Sequence, residues 1–168
     1  MSDSKNAIPR VRIYSDGSSR GNPGAGAYGL IMEMSDSGHR KLFSEAFRLT
    51  TNNRMELWGV IAGLAHLKQK SQVTVFTDSK YVTQAVDKAW VFFWEKSNFK
   101  GKKNSDLWRR FLKFYRLHQV SFKWIKGHNE HPENEQCDYI ATQAAKNGPF
   151  KIDEIYESLQ IPNGKISL

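Results

Sequence analysis

The spacing of apolar residues divides the chain into an early strand-rich part and a later part that mixes helices with strands. Up to about residue 50, segments rich in strand-forming residues are separated by short turns of glycine, serine and proline. The predicted strands are residues 10–15, which end at Asp16, then 27–34 and 39–50. Three strands joined by such turns predict an antiparallel meander.

Helical spacing begins at about residue 53, where apolar residues recur every three or four positions and predict a helix over 53–70. The recurring residues are Leu57, Val60, Ile61, Leu64 and Leu67. Later in the chain, the apolar runs 73–77 and 120–125 predict two more strands.

The remaining predicted helices begin near Ser79, cover the region around 108–115 and run from Pro132 to about Lys146. The resulting order of elements is βββαβααβα. This order predicts an α/β domain with a five-stranded mixed sheet, three strands antiparallel and two parallel, flanked by helices.

Basic residues are concentrated in one part of the chain. The formal net charge is +8, from 25 lysines and arginines against 17 aspartates and glutamates. Ten of these basic residues, but only one acid, Asp106, lie between Lys96 and Lys126. A surplus this local favours a surface for a polyanion over a merely solubilising charge.

Two further features of the composition bear on location. The sequence has no apolar run of membrane-spanning length and no apolar stretch like that of a signal peptide at its start. Its one cysteine, Cys137, permits no internal disulfide. We therefore expect a cytoplasmic protein with no membrane contact.

Four acidic residues occupy positions where stability alone does not require a carboxylate. Asp16 and Asp78 each follow a predicted strand, where open α/β sheets place their sites. Glu56 lies in the first turn of a helix on its core-facing row, and Asp138 adjoins Cys137 on the apolar face of the last helix. Taken singly, however, each acid is also an ordinary turn or helix-cap residue.

Together these acids predict a metal site if the fold brings them to one place, which their spacing alone does not show. Buried carboxylates repel one another, and a divalent cation relieves that repulsion. Ligand sets made only of oxygen favour Mg²⁺ or Mn²⁺ over zinc. Two such ions about 4 Å apart form a familiar site for cleaving phosphodiesters.

The segment GHNEHPENEQCD, residues 127–138, also suggests zinc, because it contains two histidines and a cysteine. Cys137 falls on the apolar face of the last helix, which favours a small core residue instead. Asn134 lies one turn before Asp138 and is placed to orient that carboxylate.

Four motifs, in order along the chain, resemble those of a stand-alone, bacterial-type type I ribonuclease H. They are YSDGSSRGNPGAGAYG, TTNNRMEL, TDSKYV and KGHNEHPENEQCD, and the resemblance covers about residues 10–146. It implies the ribonuclease H-like fold and an endonuclease that hydrolyses the RNA strand of RNA–DNA hybrids, leaving 5′-phosphate and 3′-hydroxyl ends. It also implies two Mg²⁺ ions, with Mn²⁺ as a substitute.

The resemblance assigns roles to individual residues. The implied metal ligands are Asp16, Glu56, Asp78 and Asp138. His128 matches the family's mobile histidine, which assists proton transfer and product release. The residues at substrate-binding positions are Ser19, Asn22, Thr51, Asn52, Asn53, Lys80, Trp90, Trp94 and Asn104.

These substrate-binding positions fall into groups. One group matches residues that read the minor groove of the hybrid, including the 2′-hydroxyls that distinguish RNA. This group consists of Ser19, Asn22, Asn52 and Asn53. Thr51 and Asn104 match residues that grip a DNA phosphate. Trp90 and Trp94 match an aromatic pair that meets DNA sugars on a basic handle, about residues 88–104, although packing within the handle explains them nearly as well.

Three features depart from the family pattern. Leu49 stands where many relatives have an arginine near the DNA phosphate. Arg48 is one residue earlier on the strand, so its side chain points to the opposite face of the sheet. Lys80 stands where many bacterial relatives have glutamine, and a lysine suits contact with an RNA phosphate. The basic handle is shorter than in well-known bacterial members.

The predicted organisation is a lead-in (1–9), a catalytic domain (10–147) and a tail (148–168) whose amphipathic stretch IDEIYESLQI is expected to pack on the domain. We expect a monomer that binds RNA–DNA hybrid. Two rival functions share the fold: a non-catalytic nucleic-acid-binding module, and a DNA nuclease resembling resolvases or integrases. The four acids argue against the first, and TTNNRMEL with the tryptophan-bearing handle argues against the second.

Overall fold

A computed structural model of the chain describes residues 7–127 and 131–161. In chain order, its elements are β1 (Arg10–Arg20), β2 (Gly24–Met34), β3 (Arg40–Thr50), α1 (Asn52–Ala65), β4 (Gln72–Thr77), α2 (Lys80–Asp87), α3 (Trp90–Lys96), α4 (Ser105–Tyr115), β5 (Gln119–Trp124), α5 (Pro132–Asn147), β6 (Phe150–Lys151) and α6 (Glu154–Leu159). No helix of these described residues has the length and apolar character needed to cross a membrane.

One mixed sheet organises the molecule, in the strand order β5-β4-β1-β2-β3-β6. The first three strands form the predicted antiparallel meander, and β4 and β5 extend it as parallel strands beside β1. The predicted α/β class and mixed sheet are therefore confirmed. Among the described residues the sheet has six strands rather than five, because the tail adds the two-residue strand β6 next to β3.

The first hairpin is longer than predicted. β1 continues past Asp16 to Arg20 and β2 begins at Gly24, so only residues 21–23 form the turn. Glycine and serine supply the same backbone N–H and C=O groups to the ladder as other residues, and Asp16 lies opposite Gly29 in the paired strands. The prediction that Asp16 ends its strand is therefore wrong.

Helices α1 and α5 cover opposite faces of the sheet. Successive residues of a strand point to opposite faces. Ile13 lies against Gly63 of α1. Asp16 has the opposite parity along β1, and α5 packs against its ladder partner Gly29. The side chain of Asp16 therefore belongs to the face that α5 covers.

The main core lies between the sheet, α1 and α4. The α1 residues Leu57, Val60, Ile61 and Leu64 are fully buried, which confirms the helical spacing read from the sequence. The helix ends at Ala65 rather than at residue 70, since the segment beyond it adds only the partly buried Leu67 to the core. From α4, the predicted apolar residues Trp108, Phe111 and Leu112 complete this core.

Two short helices, α3 and α6, are absent from the predicted order. Helix α3 and the turns after it form the region of the basic handle. In the described part of the tail, β6 and α6 pack on the domain as expected: Asp153 is buried and hydrogen-bonded to Arg54 of α1.

Candidate active site

Three of the four predicted acids meet at one point. Asp16, Glu56 and Asp78 each place one carboxylate oxygen within 4.8 Å of the others. Asp16 comes from the middle of β1, Glu56 from the second turn of α1 rather than the predicted first turn, and Asp78 from the residue after β4. Asp16 and Glu56 are buried and Asp78 is half-buried. Packing of separate elements, rather than one loop, therefore sets this geometry.

Gly17 allows Asp16 and Glu56 to approach each other. A Cβ at position 17 would lie 2.7 Å from the backbone nitrogen of Glu56 and 2.9 Å from the carbonyl carbon of Met55. A side chain does not fit at such distances, so glycine lets β1 touch the first turn of α1. The start of α1 is itself fixed by Thr51, whose hydroxyl accepts the backbone N–H of Arg54.

The fourth acid, Asp138, reaches the same region from α5. A Cβ on Gly29, the ladder partner of Asp16, would lie 2.5 Å from the carbonyl oxygen of Cys137. Helix α5 therefore lies directly on the sheet beside Asp16, and Asp138 is the next residue of that helix. Burial, then the negative charges of Asp78 and Asp138, raise the pKa of Asp16 to about 8. The four predicted acids thus form one electrostatic group, the acid cluster.

The acid cluster is set up to accept a cation. Burial, followed by the charges of Asp16 and Asp78, raises the pKa of Glu56 well above its usual range. The Oε2 atom of Glu56 is buried and accepts no hydrogen bond from the described residues. A divalent cation would satisfy this oxygen and offset the repulsion between the carboxylates. An all-oxygen ligand set fits Mg²⁺.

Three other residues of the last motif have different outcomes. His128 lies outside the described residues, so its role stays a prediction. Asn134 is buried on α5, and its Oδ1 accepts no hydrogen bond within the described part of the chain, so its orienting role also stays a prediction. Cys137 is fully buried and its thiol donates to the carbonyl of Tyr14, as expected for a core residue rather than a zinc ligand. Burial raises the pKa of this thiol to about 12.

The residues predicted to read the minor groove lie on the β1–β2 hairpin and at the start of α1, and these elements also carry Asp16 and Glu56. Asn22, in the β1–β2 turn, accepts the backbone N–H of Asn52 through its Oδ1 at 3.1 Å. Ser19 is half-buried near the end of β1, and Asn53 is exposed in the first turn of α1. The hydrogen bond between Asn22 and Asn52 therefore links the tip of the β1–β2 hairpin to the start of α1, four residues before Glu56.

Thr51 and Asn104, predicted to grip a phosphate, are tied to one arginine that sequence reasoning missed. The Thr51 hydroxyl accepts the N–H of Arg54, and the Asn104 Oδ1 lies 3.4 Å from the Arg54 Nη1. The Arg54 side chain is 1% exposed and forms salt bridges with Asp106 and Asp153. The available signal in the sequence was the position of Arg54, which lies three residues before Leu57 and so falls on the apolar face of the predicted helix.

The departure from the family pattern on β3 has a structural counterpart. Leu49 is half-buried, whereas Arg48 is exposed. The Arg48 guanidinium donates from both Nε and Nη2 to the carboxylate of Glu157 on α6. Arg48 is therefore engaged with the tail.

The two handle tryptophans differ in exposure. Their ring centroids on α3 lie 6.5 Å apart. Trp90 is 41% exposed, whereas Trp94 packs edge-on against the buried ring of Trp108. The ammonium groups of Lys88 and Lys102 lie over Trp90 and Trp94, respectively. Trp90 thus has the surface needed for substrate contact, while Trp94 also serves packing.

Known proteins are similar to this chain over most of its length. The family model described as RNase H matches residues 9–146. The chain is 46% identical to the ribonuclease H of Desulforamulus reducens over 151 residues, which are 87% of this chain and 94% of that protein. It is 45% identical to the ribonuclease H of Citrobacter koseri, over 90% of this chain and 98% of that protein.

Solved structures share the fold. A crystal structure of a type 1 RNase H with the type 2 active-site motif matches with a TM-score of 0.75 at 30% identity, covering 83% of this chain and 74% of that one. The N-terminal RNase H domain of a Mycobacterium tuberculosis protein matches with a TM-score of 0.67 at 26% identity, covering 82% and 94% of the two chains.

Proposed function

Because this chain belongs to the ribonuclease H family of hydrolases, which cut the RNA strand of RNA–DNA hybrids, we propose that it does so by two-metal-ion catalysis at its acid cluster. The products then carry 5′-phosphate and 3′-hydroxyl ends. The observation that supports this proposal most is the meeting of Asp16, Glu56 and Asp78 within 4.8 Å.

The proposed metal ligands are the carboxylates of Asp16, Glu56, Asp78 and Asp138. Bound Mg²⁺, or Mn²⁺ in its place, supplies activation of the attacking water and neutralisation of charge on the phosphate and the leaving oxygen. The protein holds the carboxylates on β1, on α1, directly after β4 and on α5, so that their positions are fixed before substrate arrives. Burial of Glu56 also keeps bulk water from competing for its oxygens.

Four further roles complete the proposal. His128 carries a proton and assists product release. Ser19, Asn22, Asn52 and Asn53 read the minor groove, where contact with 2′-hydroxyls distinguishes RNA from DNA. The DNA-strand contacts are assigned to Thr51, Trp90, Trp94 and Asn104. Asn134 orients Asp138. The monomeric state and cytoplasmic location stay predictions.

The first experiment compares three labelled duplexes, RNA–DNA hybrid, double-stranded RNA and double-stranded DNA, with Mg²⁺, with Mn²⁺ and with a chelator. We expect cleavage of the RNA in the hybrid alone, and only with a metal. Ligation of the recovered fragments tests for the 5′-phosphate and 3′-hydroxyl ends. Equal cutting of all three duplexes would contradict the 2′-hydroxyl assignment.

A variant pair tests the acid cluster itself. Asp16→Asn should reduce hybrid cleavage at least about 1000-fold, because several kcal/mol of transition-state stabilisation depend on the metals. Hybrid binding should survive. The matched control is Asp36→Asn, the same change on an exposed residue of the β2–β3 turn, which should retain normal activity. Normal cleavage by Asp16→Asn would overturn the assignment.

A further inference from the structure

Trp124 is a large aromatic residue that is both exposed and held in place. It is 46% exposed at the end of the edge strand β5. Its backbone is fixed by pairing with Thr77 of β4, and its Nε1 donates to the backbone carbonyl of Asp78 at 2.9 Å. Since Asp78 belongs to the acid cluster, the ring is fixed at the edge of the active site.

Lys80 lies over this ring. It is the exposed first residue of α2, two residues after Asp78, and its Nζ is 5.2 Å from the centre of the Trp124 ring. Within residues 7–127 and 131–161, no carboxylate forms a salt bridge with Lys80. An aromatic face attracts an ammonium group without neutralising it, so the charge of Lys80 stays available.

This pairing lowers the entropic cost of binding a ligand through a flexible lysine side chain. A lysine side chain has four flexible bonds and loses much rotamer freedom when it is fixed on a ligand. A ring that already restrains the ammonium reduces that loss. The ring of Trp124 is itself restrained at two points, by the β4–β5 ladder and by the Asp78 carbonyl.

We propose that Lys80 binds a backbone phosphate of the RNA strand beside the cleavage site, and that Trp124 is the positioning residue that holds its ammonium there. The proposal rests on the proposed function, because it takes Asp78 to mark the strand that is cut. A phosphate is the anion that a hybrid presents at such a site, and an unneutralised ammonium is a suitable partner for it.

The test is a double-mutant cycle in hybrid cleavage, with kcat and KM measured over a range of salt concentrations. Lys80→Gln should raise KM about 5- to 10-fold, leave kcat within about 2-fold, and lower the salt slope of log(1/KM) by about 1. Trp124→Leu should raise KM about 2- to 5-fold in the wild-type background. In the Lys80→Gln background the same change should have less than about 2-fold effect, because the pair is already broken.

Two controls separate the ring from other causes. Trp124→Phe keeps an aromatic face on the β4–β5 ladder and loses one of the two restraints on the ring, so KM should rise less than in Trp124→Leu. Lys70→Gln removes one exposed positive charge at the opposite end of β4, about 20 Å away along the strand, and should leave KM and the salt slope unchanged. Thermal unfolding confirms that each variant is folded.

Three results would overturn the proposal. If Lys80→Gln behaves like Lys70→Gln, Lys80 binds no phosphate. If Trp124→Leu raises KM equally in both backgrounds, Trp124 contacts the substrate directly. If Trp124→Phe raises KM as much as Trp124→Leu, an aromatic face at this position does not hold the ammonium of Lys80. Should Trp124→Leu not fold, the Lys80→Gln salt slope and the Trp124→Phe result still decide. Failure of the proposed function is distinct, because the wild-type protein would then not cleave hybrid.

Discussion

Two groups of buried charge include residues that lie two positions apart near the start of α1, and the charges of the two groups are balanced in different ways. Arg54 belongs to the first, the arginine cluster, in which its guanidinium is bonded to Asp106 and Asp153. Glu56 belongs to the second, the acid cluster. The arginine cluster contains its own cation. In the acid cluster, no cationic side chain of the described residues forms a salt bridge with Asp16 or Glu56.

The same burial has opposite consequences in the two clusters. Burial acts to raise the pKa of Asp106, but hydrogen bonds from Arg54 outweigh it and hold that pKa below the usual range. Burial also raises the pKa of Asp16, and the charges of Asp78 and Asp138 add to the effect. Burial alone therefore does not distinguish a structural charge from a functional one. The deciding feature is whether the chain supplies the counter-charge, and in the proposed function a metal supplies it to the acid cluster.

The largest effect is expected in the arginine cluster. Asp153→Ala removes the buried partner of the Arg54 guanidinium, which is 1% exposed, and leaves Asp106 as its remaining salt-bridge partner among the described residues. Removing one partner of a buried ion pair costs about 3–5 kcal/mol of unfolding free energy, which urea denaturation measures. Asp153→Asn keeps the shape and one acceptor oxygen and should cost less. A loss below about 1 kcal/mol for Asp153→Ala would show that the cluster is not a major source of stability.

Metal addition should produce the next largest effect, and only through the acid cluster. A ligand that binds the folded state alone stabilises it by about 2.7 kcal/mol when its free concentration is 100 times Kd. Mg²⁺ should therefore raise the unfolding free energy of the wild-type protein in urea. Glu56→Gln should abolish this gain, whereas Asp153→Asn should retain it. Equal stabilisation of wild type and Glu56→Gln would place the metal elsewhere.

The two clusters also differ in how far the sequence predicts them. All four members of the acid cluster follow from motifs that are local in the chain. The convergence of the four acids does not follow from these motifs. It depends on close approaches between elements at Gly17 and Gly29, and local motifs do not specify distances between elements. The arginine cluster joins Arg54 to Asp153 across 99 residues, and no periodicity links them.

Other differences between prediction and structure have similar causes. Strands and helices with strong apolar spacing were predicted correctly, because burial of one face dictates that spacing. The second half of β1 was missed because glycine and serine normally indicate turns, whereas here the backbone ladder with β2 continues through them. Trp124 was predicted within an apolar strand. Its exposure depends on β5 being an edge strand, which only the sheet order reveals.

A smaller effect should distinguish the clusters by pH in metal-free protein. Asp16 keeps its proton up to about pH 8 when folded but loses it near pH 4 when unfolded, so its contribution to stability is lost as pH rises between these values. Asp16→Asn removes this dependence. Relative to wild type, the variant should gain about 2.6 kcal/mol of unfolding free energy between pH 5 and 7, because each pH unit in this window changes it by about 1.4 kcal/mol. Asp36→Asn is the control, and a parallel pH profile for wild type and Asp16→Asn would refute the raised pKa.

The smallest effect is expected where the tail makes an exposed ion pair. Lys151 of β6 donates to Glu45 of β3, and its side chain is 62% exposed. Lys151→Ala should therefore cost only about 0.2–1 kcal/mol of unfolding free energy. The cost should largely disappear in 1 M NaCl, where the screening length is about 3 Å, whereas the cost of Asp153→Ala should persist because that pair is buried. Lys151 and Asp153 belong to the same short tail, so the ratio of the two losses in unfolding free energy measures the effect of burial on an ion pair. Similar losses for the two variants, with the same salt dependence, would mean that the tail is held by its surface charges rather than by Arg54.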